Sequence, residues 1–256
     1  MSSSTVRRDD EQPLEPLFYP CNTLTLGAPL RWLRLGWADI KRAPGPSLVY
    51  GFGIVIFFDL ITWLAWDGEN TLALFTLGMA FILAAPILAF GLYSVSRQIE
   101  RGQEPRLGVC WRESQNHMRN EMLFALVMLV VLLVWARAAS MVHVFFPISE
   151  EMGIAGLLQF LAVGSAVGSI FAAIVFCASA VSLPMMLDRN TDAITSALTS
   201  VNAVLRNKRV MLLWALIIFA LMLLGFATAL LGFALVLPLL GTATWHAYRE
   251  TVAVSK

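Results

Sequence analysis

Asp59 and Arg137 have the residue types and positions that most suggest function, because each is a charged residue well inside a long apolar run. A charged side chain in hydrocarbon is costly and is a functional candidate by default. At a helical rise of about 1.5 Å per residue, Asp59 lies about 18 Å beyond Ser47 and Arg137 about 22 Å beyond Met122. These similar depths predict an ion pair between two spans. The alternative is that Arg137 extends outward and Asp59 contacts water.

The histidines do not form a metal or haem site in this sequence. His117, His143 and His246 are expected at three different depths, so no two could bind one group. The chain has no Walker loop, dinucleotide-binding glycine pattern, HExxH motif or nucleophile elbow. We therefore expect no catalytic residue, no metal and no cofactor, and we do not expect an enzyme.

The composition is that of a membrane protein. Of the 256 residues, 58% are apolar and only 14% are charged, and the charged residues fall in short clusters between long uncharged runs. The net charge of +1 gives no indication of a nucleic-acid partner. The three cysteines, Cys21, Cys110 and Cys177, are expected to be free thiols.

Six apolar runs are long enough to cross a bilayer of about 30 Å. The last two come from Val210 to Tyr248, 39 residues without a charge, which as one helix would be nearly 60 Å long and must fold back near Gly225 to Thr228. The predicted spans are residues 47–66, 71–93, 122–146, 157–187, 209–226 and 229–248. They form one membrane domain, 29–250, between a flexible cytoplasmic tail, 1–28, and a short cytoplasmic tail, 251–256.

The distribution of basic residues predicts the orientation of these spans. Residues 1–46, 94–120 and 188–209 contain six, five and four Lys or Arg residues, whereas the turns 67–70 and 147–153 contain acidic residues but no Lys or Arg. Cytoplasmic connections retain positive charges. Both termini are therefore expected in the cytoplasm.

Three amphipathic segments precede the three pairs of spans and form an internal repeat. Pro29 and Pro105 suit first-turn positions, and Asn190 or Thr191 is the expected cap of the third segment. The result is an all-α membrane protein with six transmembrane helices as three hairpins, each preceded by a cytoplasmic interfacial amphipathic helix. The apolar stripes are Leu30, Leu33, Trp37 and Ile40; Leu107, Trp111 and Met118, with Ser114 interrupting; and Ile194, Leu198, Val201 and Leu205.

Each pair of spans has a proline in its second member, at Pro86, Pro184 and Pro238. These prolines are either tolerated bends or hinges that line a central cavity.

The fourth span carries a ridge of small residues, Gly164, Gly168 and Ala172, that lets another helix approach closely. The ridge serves either packing within the monomer or oligomerisation.

Several segments resemble an uncharacterised family of predicted bacterial integral membrane proteins. The resemblance rests on residues 37–41 (WADIK), 97–102 (RQIERG), 183–186 (LPMM) and 237–249 (LPLLGTATWHAYR). The hairpin plan is also similar to that of the membrane domain of some glycerophosphodiester phosphodiesterases. The resemblance implies a bacterial inner membrane and transfers no catalytic residue.

The complete repeats and the missing catalytic motifs favour a non-catalytic protein that organises or assists other inner-membrane components. Its expected partners are anionic lipid headgroups at the basic interfacial helices and other inner-membrane proteins, and not nucleic acid. The alternative is a small-solute or lipid transporter or channel, suggested by the three prolines and by Asp59 and Arg137. An intramembrane enzyme would need clustered Asp, Glu or His that the spans lack.

Overall fold

The computed structural model describes residues 17–66, 88–145 and 153–253, and the regular elements in these ranges are helices. Eight have both ends within the described ranges, and a ninth is described from residue 88 onward. In chain order they are α1 (Ala28–Arg42), α2 (Pro44–Trp66), α3 (88–100), α4 (Leu107–Phe145), α5 (Ile154–Ser179), α6 (Ser182–Arg189), α7 (Ala193–Arg206), α8 (Lys208–Ala227) and α9 (Phe233–Thr251).

Helix α9 is the centre of the fold and packs most extensively on α1 and α2. Glycines allow this close approach. A Cβ atom at Gly36 of α1 would lie 2.7 Å from the backbone nitrogen of Ala243, and one at Gly51 of α2 would lie 2.0 Å from the carbonyl oxygen of Ala234. Helix backbones that pack this closely are typical of helices in membranes.

The largest buried side chains gather around the C-terminal half of α9. Trp32 and Trp214 pack edge to face with their ring centroids 5.5 Å apart, which joins α1 to α8 beneath α9. A second cluster surrounds Trp245 and Tyr248 and includes Met185 of α6. The core is therefore built where α1, α6, α8 and α9 meet.

Three stretches of the described chain are long and apolar enough to cross a membrane: Met118–Val142, Ile154–Arg189 and Lys208–Ala227. A shorter apolar helix covers Pro44–Phe57. These overlap four of the predicted spans and confirm an all-helical protein with several apolar helices. Residues 71–87 of the second predicted span lie outside the described residues, so the count of six and the hairpin plan stay predictions.

The chain turns between α8 and α9 at the place that the sequence predicts. Helix α8 ends at Ala227, and the Phe226 and Phe233 rings pack edge to face across the turn at 5.1 Å. A hydrogen bond of 2.9 Å from the Gly232 N–H to the Thr228 hydroxyl closes the turn. A side chain at Gly225 would collide with Phe233, which explains a glycine at that position.

The second predicted interfacial helix is not a separate element, which corrects the repeat. Residues 107–118 are the first turns of α4, a single helix of 39 residues and about 58 Å. The physical reason is that no proline and only Gly108, near the N-terminus, interrupts the sequence from Leu107 to Phe145.

The prediction that residues 1–28 form a flexible tail is wrong for residues 17–28, the part that the structure describes. The backbone pairs Cys21 with Val252, and the Asn22 N–H donates to the Thr251 carbonyl oxygen at 2.8 Å. The Leu24 N–H donates to Oδ1 of Asn207 at 2.8 Å. These bonds satisfy polar backbone groups that an isolated segment would expose to water, and so they fix it against α7 and α9.

The cap of α7 also differs from the prediction. Asn190 instead ends α6 in a left-handed conformation (φ 55°), and the Thr191 hydroxyl bonds to that of Ser196 at 2.7 Å. The N-cap is Asp192, whose Oδ2 accepts hydrogen bonds from the Ile194 and Thr195 N–H groups at 3.0 and 3.1 Å.

Candidate functional site: an exposed apolar face above a buried polar network

Helix α7 buries its small polar residues and exposes its apolar stripe. Its buried residues are Ala193, Thr195, Ser196, Thr199, Ser200, Ala203 and Val204. By contrast, Ile194 is 65% exposed, and Leu198 and Leu205 are also exposed. The predicted stripe is therefore present but faces away from the protein. In water this arrangement would be unfavourable, whereas an interfacial membrane helix places such a face in lipid.

Helix α1 and the start of α4 also expose apolar residues of their predicted stripes. Leu30 of α1 is 64% exposed and Trp37 is exposed, whereas Trp32 and Gly36 are buried against α8 and α9. In α4, Trp111 is exposed, and the Ser114 that interrupts the stripe is buried. The hydrophobic pattern finds the three amphipathic segments but does not predict the packed face. Helix α7 packs its small and polar residues, whereas α1 also packs Trp32 and Ile40, the latter a member of the predicted stripe.

A network of ion pairs joins α3, α4 and α6 at the predicted inner end of the protein. Arg97 of α3 pairs with Glu113 of α4 at 3.1 Å, and its Nε lies 3.8 Å from Oδ1 of Asp188 in α6. The Ser94 hydroxyl donates to Glu113 at 2.5 Å. All three charged side chains are largely shielded from solvent, which strengthens their interaction relative to surface pairs.

Helix α9 completes this network. The Tyr248 hydroxyl donates to Asp188 at 2.7 Å, and Arg249 pairs with Asp188 at 3.1 Å and with Glu100 at 2.8 Å. The Trp245 indole N–H donates to Glu100 at 2.9 Å. Four helices are thus tied together by Arg97, Glu100, Glu113, Asp188, Trp245, Tyr248 and Arg249.

A second set of polar contacts ties α1 to α9. Oδ2 of Asp39 lies 2.8 Å from Nε2 of His246. Glu250 pairs with Arg31 and accepts a hydrogen bond of 2.8 Å from the Trp32 indole N–H. His246 therefore has a structural partner.

Most acidic residues of the inner end belong to ion pairs, whereas many of its cations do not; the exposed Glu104 is in none of the ion pairs among the described residues. In the ranges that the structure describes, Glu100, Glu113, Asp188, Asp39 and Glu250 all belong to ion pairs. Across the same ranges, the cations of the predicted inner connections without an ion pair are Arg34, Lys41, Arg42, Arg101, Arg106, Arg112, Arg119, Arg189, Arg206, Lys208 and Arg209. The surface left over is positive.

Glu121 is a buried acid that sequence reasoning missed because it lies at the edge of a predicted span. It is fully buried on α4, with the side chain of Ser114 beside its carboxylate. A single Glu next to an apolar run reads from sequence as a solvated end residue. Only the packing of α4 shows that it points inward.

The structure does not bring Asp59 and Arg137 together. Both side chains are exposed, and none of the ion pairs among the described residues joins them. The alternative, in which Arg137 extends outward and Asp59 contacts water, fits this placement better.

The prolines occupy different structural positions. Pro86 lies outside the described residues. Pro184 follows a break at Ala180–Val181 that divides the long fourth span into α5 and α6, because proline removes the donor to the carbonyl four residues earlier. Pro238 lies inside α9, and the carbonyl oxygen of Ala234, four residues earlier, lies against Gly51.

The small-residue ridge is used only in part. Gly168 and Ala172 line an apolar recess of about 290 Å³ beside Trp135 of α4, and a Cβ at Gly168 would lie 3.9 Å from the Trp135 Nε1. A Cβ at Gly164 would meet nothing within 4 Å. Part of the ridge thus packs within the monomer, and part of it remains open.

Among the described residues, no group of three or more His, Cys, Asp or Glu side chains lies close enough to hold a metal ion. The side chains of His117 and His143 lie outside the described set. The free cysteines Cys21 and Cys110 are buried, and Cys177 is partly buried.

Residues 74–188 match the family model described as "Predicted integral membrane protein (DUF2189)". No curated protein and no solved structure matches the chain. The likeness to the membrane domain of glycerophosphodiester phosphodiesterases therefore stays a prediction. Together with the apolar helices, the match defines this chain as an integral membrane protein.

Proposed function

We propose that this chain is a non-catalytic, multi-pass protein of the bacterial inner membrane that organises or assists another membrane protein, with both its termini in the cytoplasm. The observation that carries the proposal is the exposure of α5. None of the 26 residues of this apolar helix is buried within the chain.

Helix α5 contacts α4, α6 and α7, and a Cβ at the small residue Gly164 would meet nothing within 4 Å. A helix that only anchored the chain in lipid would need no small residue there. Small residues let a second backbone approach within van der Waals distance, which is the main source of helix association in membranes. The open part of α5 is therefore suited to a helix of a partner protein.

The unpaired cations support the proposed orientation. They cluster in the connections before α2, within the start of α4 and between α7 and α8, while the acids Glu100, Glu113 and Asp188 are held in ion pairs. Positive residues retained near span ends favour the cytoplasmic side. No observation among the described residues favours the transporter alternative.

Site-specific photo-crosslinking in intact membranes tests the proposal. A photoreactive residue at Gly164 should give a discrete adduct with a different protein, identified by mass spectrometry. The matched control is Ile170, which is exposed and lies about 120° around α5 from Gly164, and which should give lipid adducts only.

Lipid adducts alone from both positions would overturn the organising role. Adducts of Gly164 only with a second copy of the chain would also count against it, because they would assign the ridge to self-association. Cysteine labelling of Arg101→Cys from the cytoplasmic side tests the orientation separately.

A further inference from the structure

A groove lies between the α7–α8 corner and the N-terminal segment, residues 17–27, which form its two walls. Its volume is about 440 Å³, and it is lined by Thr23, Leu24, Leu26, Leu205, Arg206, Asn207, Lys208, Arg209 and Val210. Three of these residues are cations and none is acidic. Neither the pairs of spans nor the inner polar network predicts such a groove, because it exists only where residues 17–27 fold back onto α7.

Asn207 builds the groove. Its side-chain amide donates to the Asn22 carbonyl oxygen at 2.9 Å and to the Ala203 carbonyl oxygen at 3.2 Å, and its Oδ1 accepts from the Leu24 N–H. The residue is buried, and it fixes the N-terminal segment to the α7–α8 corner. The groove is therefore held by the fold and is not a loose surface depression.

The charges of the groove favour an anion. Arg206, Lys208 and Arg209 are exposed, and none of them has an ion pair within the described ranges. An exposed cation near a membrane is attracted to anionic lipid. Three cations around one groove, with no acidic residue in its lining, complement a headgroup of net negative charge better than a zwitterionic one.

The apolar rim favours a lipid over a soluble anion. Leu26 is 60% exposed beside the cations, and Leu205 continues the exposed stripe of α7. The groove also lies at the first residue of Lys208–Ala227, one of the stretches able to cross a membrane. The cations therefore lie at the start of that stretch, where a lipid headgroup would lie, and the aliphatic side chains of Leu26 and Leu205 line the same groove.

We propose that this groove binds the headgroup of an anionic phospholipid. Arg206, Lys208 and Arg209 contact the phosphate, and Leu26 and Leu205 contact the upper acyl chain. The inference rests on the membrane placement of α7 and α8 assumed in the proposed function, but it is independent of the partner surface on α5.

The test measures binding of phosphatidylglycerol to the full chain in detergent, by native mass spectrometry and by the rise in melting temperature on lipid addition. The groove variant is Arg206→Gln/Lys208→Gln/Arg209→Gln. The matched control is Arg101→Gln/Arg106→Gln/Arg112→Gln, which removes the same charge from another exposed connection.

We expect the groove variant to bind phosphatidylglycerol at least about tenfold more weakly than the wild type, and the control to change little. Neutral phosphatidylcholine should bind all three proteins equally weakly. A melting curve without lipid checks that each variant is folded. If the triple groove variant does not fold, single Gln variants at each of the three positions replace it.

Equal losses in the groove and control variants would overturn the proposal, because binding would then depend on overall charge. Glycerol 3-phosphate that competes as well as the lipid would also overturn it, since the site would then bind a soluble anion. If Gly164 gave lipid adducts only while phosphatidylglycerol still bound to the groove, the proposed function alone would be contradicted.

Discussion

The hydroxyl of Tyr248 donates a hydrogen bond of 2.7 Å to Oδ2 of Asp188 and accepts one of 3.0 Å from Nε of Arg189, residues about 60 positions earlier in the chain. One phenol thus holds the end of α9 against the end of α6. The same Asp188 is paired with Arg97 and Arg249, so this contact lies at the centre of the inner polar network.

Replacing Tyr248 by Phe should lower the stability of the folded protein. The substitution keeps the ring packed against Trp245 but removes a hydrogen bond to a charged carboxylate, worth about 1.5–3 kcal/mol. Thermal unfolding in mild detergent measures the change. The matched control is Tyr19→Phe, because the Tyr19 hydroxyl forms no hydrogen bond with the part of the chain that the structure describes, while its ring keeps its contact with Arg189. Equal losses in both variants would contradict the role of the Tyr248 hydroxyl.

Gly51→Ala and Gly53→Ala should have opposite effects although they are two residues apart in α2. A Cβ at Gly51 would lie 2.0 Å from the Ala234 carbonyl oxygen, whereas one at Gly53 would meet nothing within 4 Å. We expect Gly51→Ala to destabilise the protein by about 1–3 kcal/mol through overpacking against α9. Gly53→Ala should be neutral or stabilising, because alanine favours the helix by about 1 kcal/mol. Matching melting curves for the two variants would show that α2 does not pack on α9 as described.

Asp192→Ala should cost about 1 kcal/mol near neutral pH, because it removes the N-cap of α7. Partial desolvation by itself would raise the pKa of the Asp192 carboxyl, but hydrogen bonds from Thr195 and Ile194 outweigh it, and the pKa is lowered. A lowered carboxyl pKa gives stability that is present above the unfolded pKa of about 4 and is lost as the pH falls through the folded value.

The stability difference between the wild type and Asp192→Ala should therefore shrink as the pH is lowered below about 4. Asp192→Asn is the control, because an asparagine side chain still accepts the N-cap hydrogen bonds without titrating. A difference that grows on acidification would contradict this account.

Cys21 should react slowly with a thiol reagent until the N-terminal segment detaches. The side chain is buried between α7 and Val252, and burial raises the pKa of the thiol, so less thiolate is present near neutral pH. Asn207→Ala removes the hydrogen bonds to Asn22 and Leu24, and it should raise the labelling rate of Cys21 severalfold. Mass spectrometry of the labelled peptide follows the rate.

The control for Cys21 labelling is Asn202→Ala. Asn202 contacts the Cys21 sulfur at 3.6 Å but does not bind the segment backbone. If wild-type Cys21 were labelled at the rate of an exposed thiol, the N-terminal segment would not be held against α7 and α9 as described.

The apolar stripes show how far sequence reasoning reaches in this protein. The 3.6-residue period identifies α1 and α7 as amphipathic, and the lack of charge identifies the apolar helix α8, because both signals are local properties of the residues. The same period cannot say which face packs on the protein. In water the apolar face would be buried, whereas in this fold Ile194 is exposed and Thr199 is buried, because lipid is the outer solvent.

The charged residues show which contacts a sequence pattern cannot predict. Asp59 and Arg137 appear prominent in the sequence because they interrupt apolar runs, yet the structure leaves them apart. The partners of Asp188 are Arg97, Tyr248 and Arg249. These contacts span up to about 90 residues and depend on how α3, α6 and α9 meet, which no local pattern encodes.

The sequence alone determined that lipid surrounds much of this chain, since hydropathy and charge distribution act residue by residue and need no knowledge of neighbours. It also located the turn between α8 and α9, where helix length exceeds the bilayer thickness. Only the tertiary structure decided that residues 17–27 are fixed, that α9 is the centre, and that a basic groove forms at Asn207. Each of these depends on contacts between distant segments, whose free energy arises only once the helices pack.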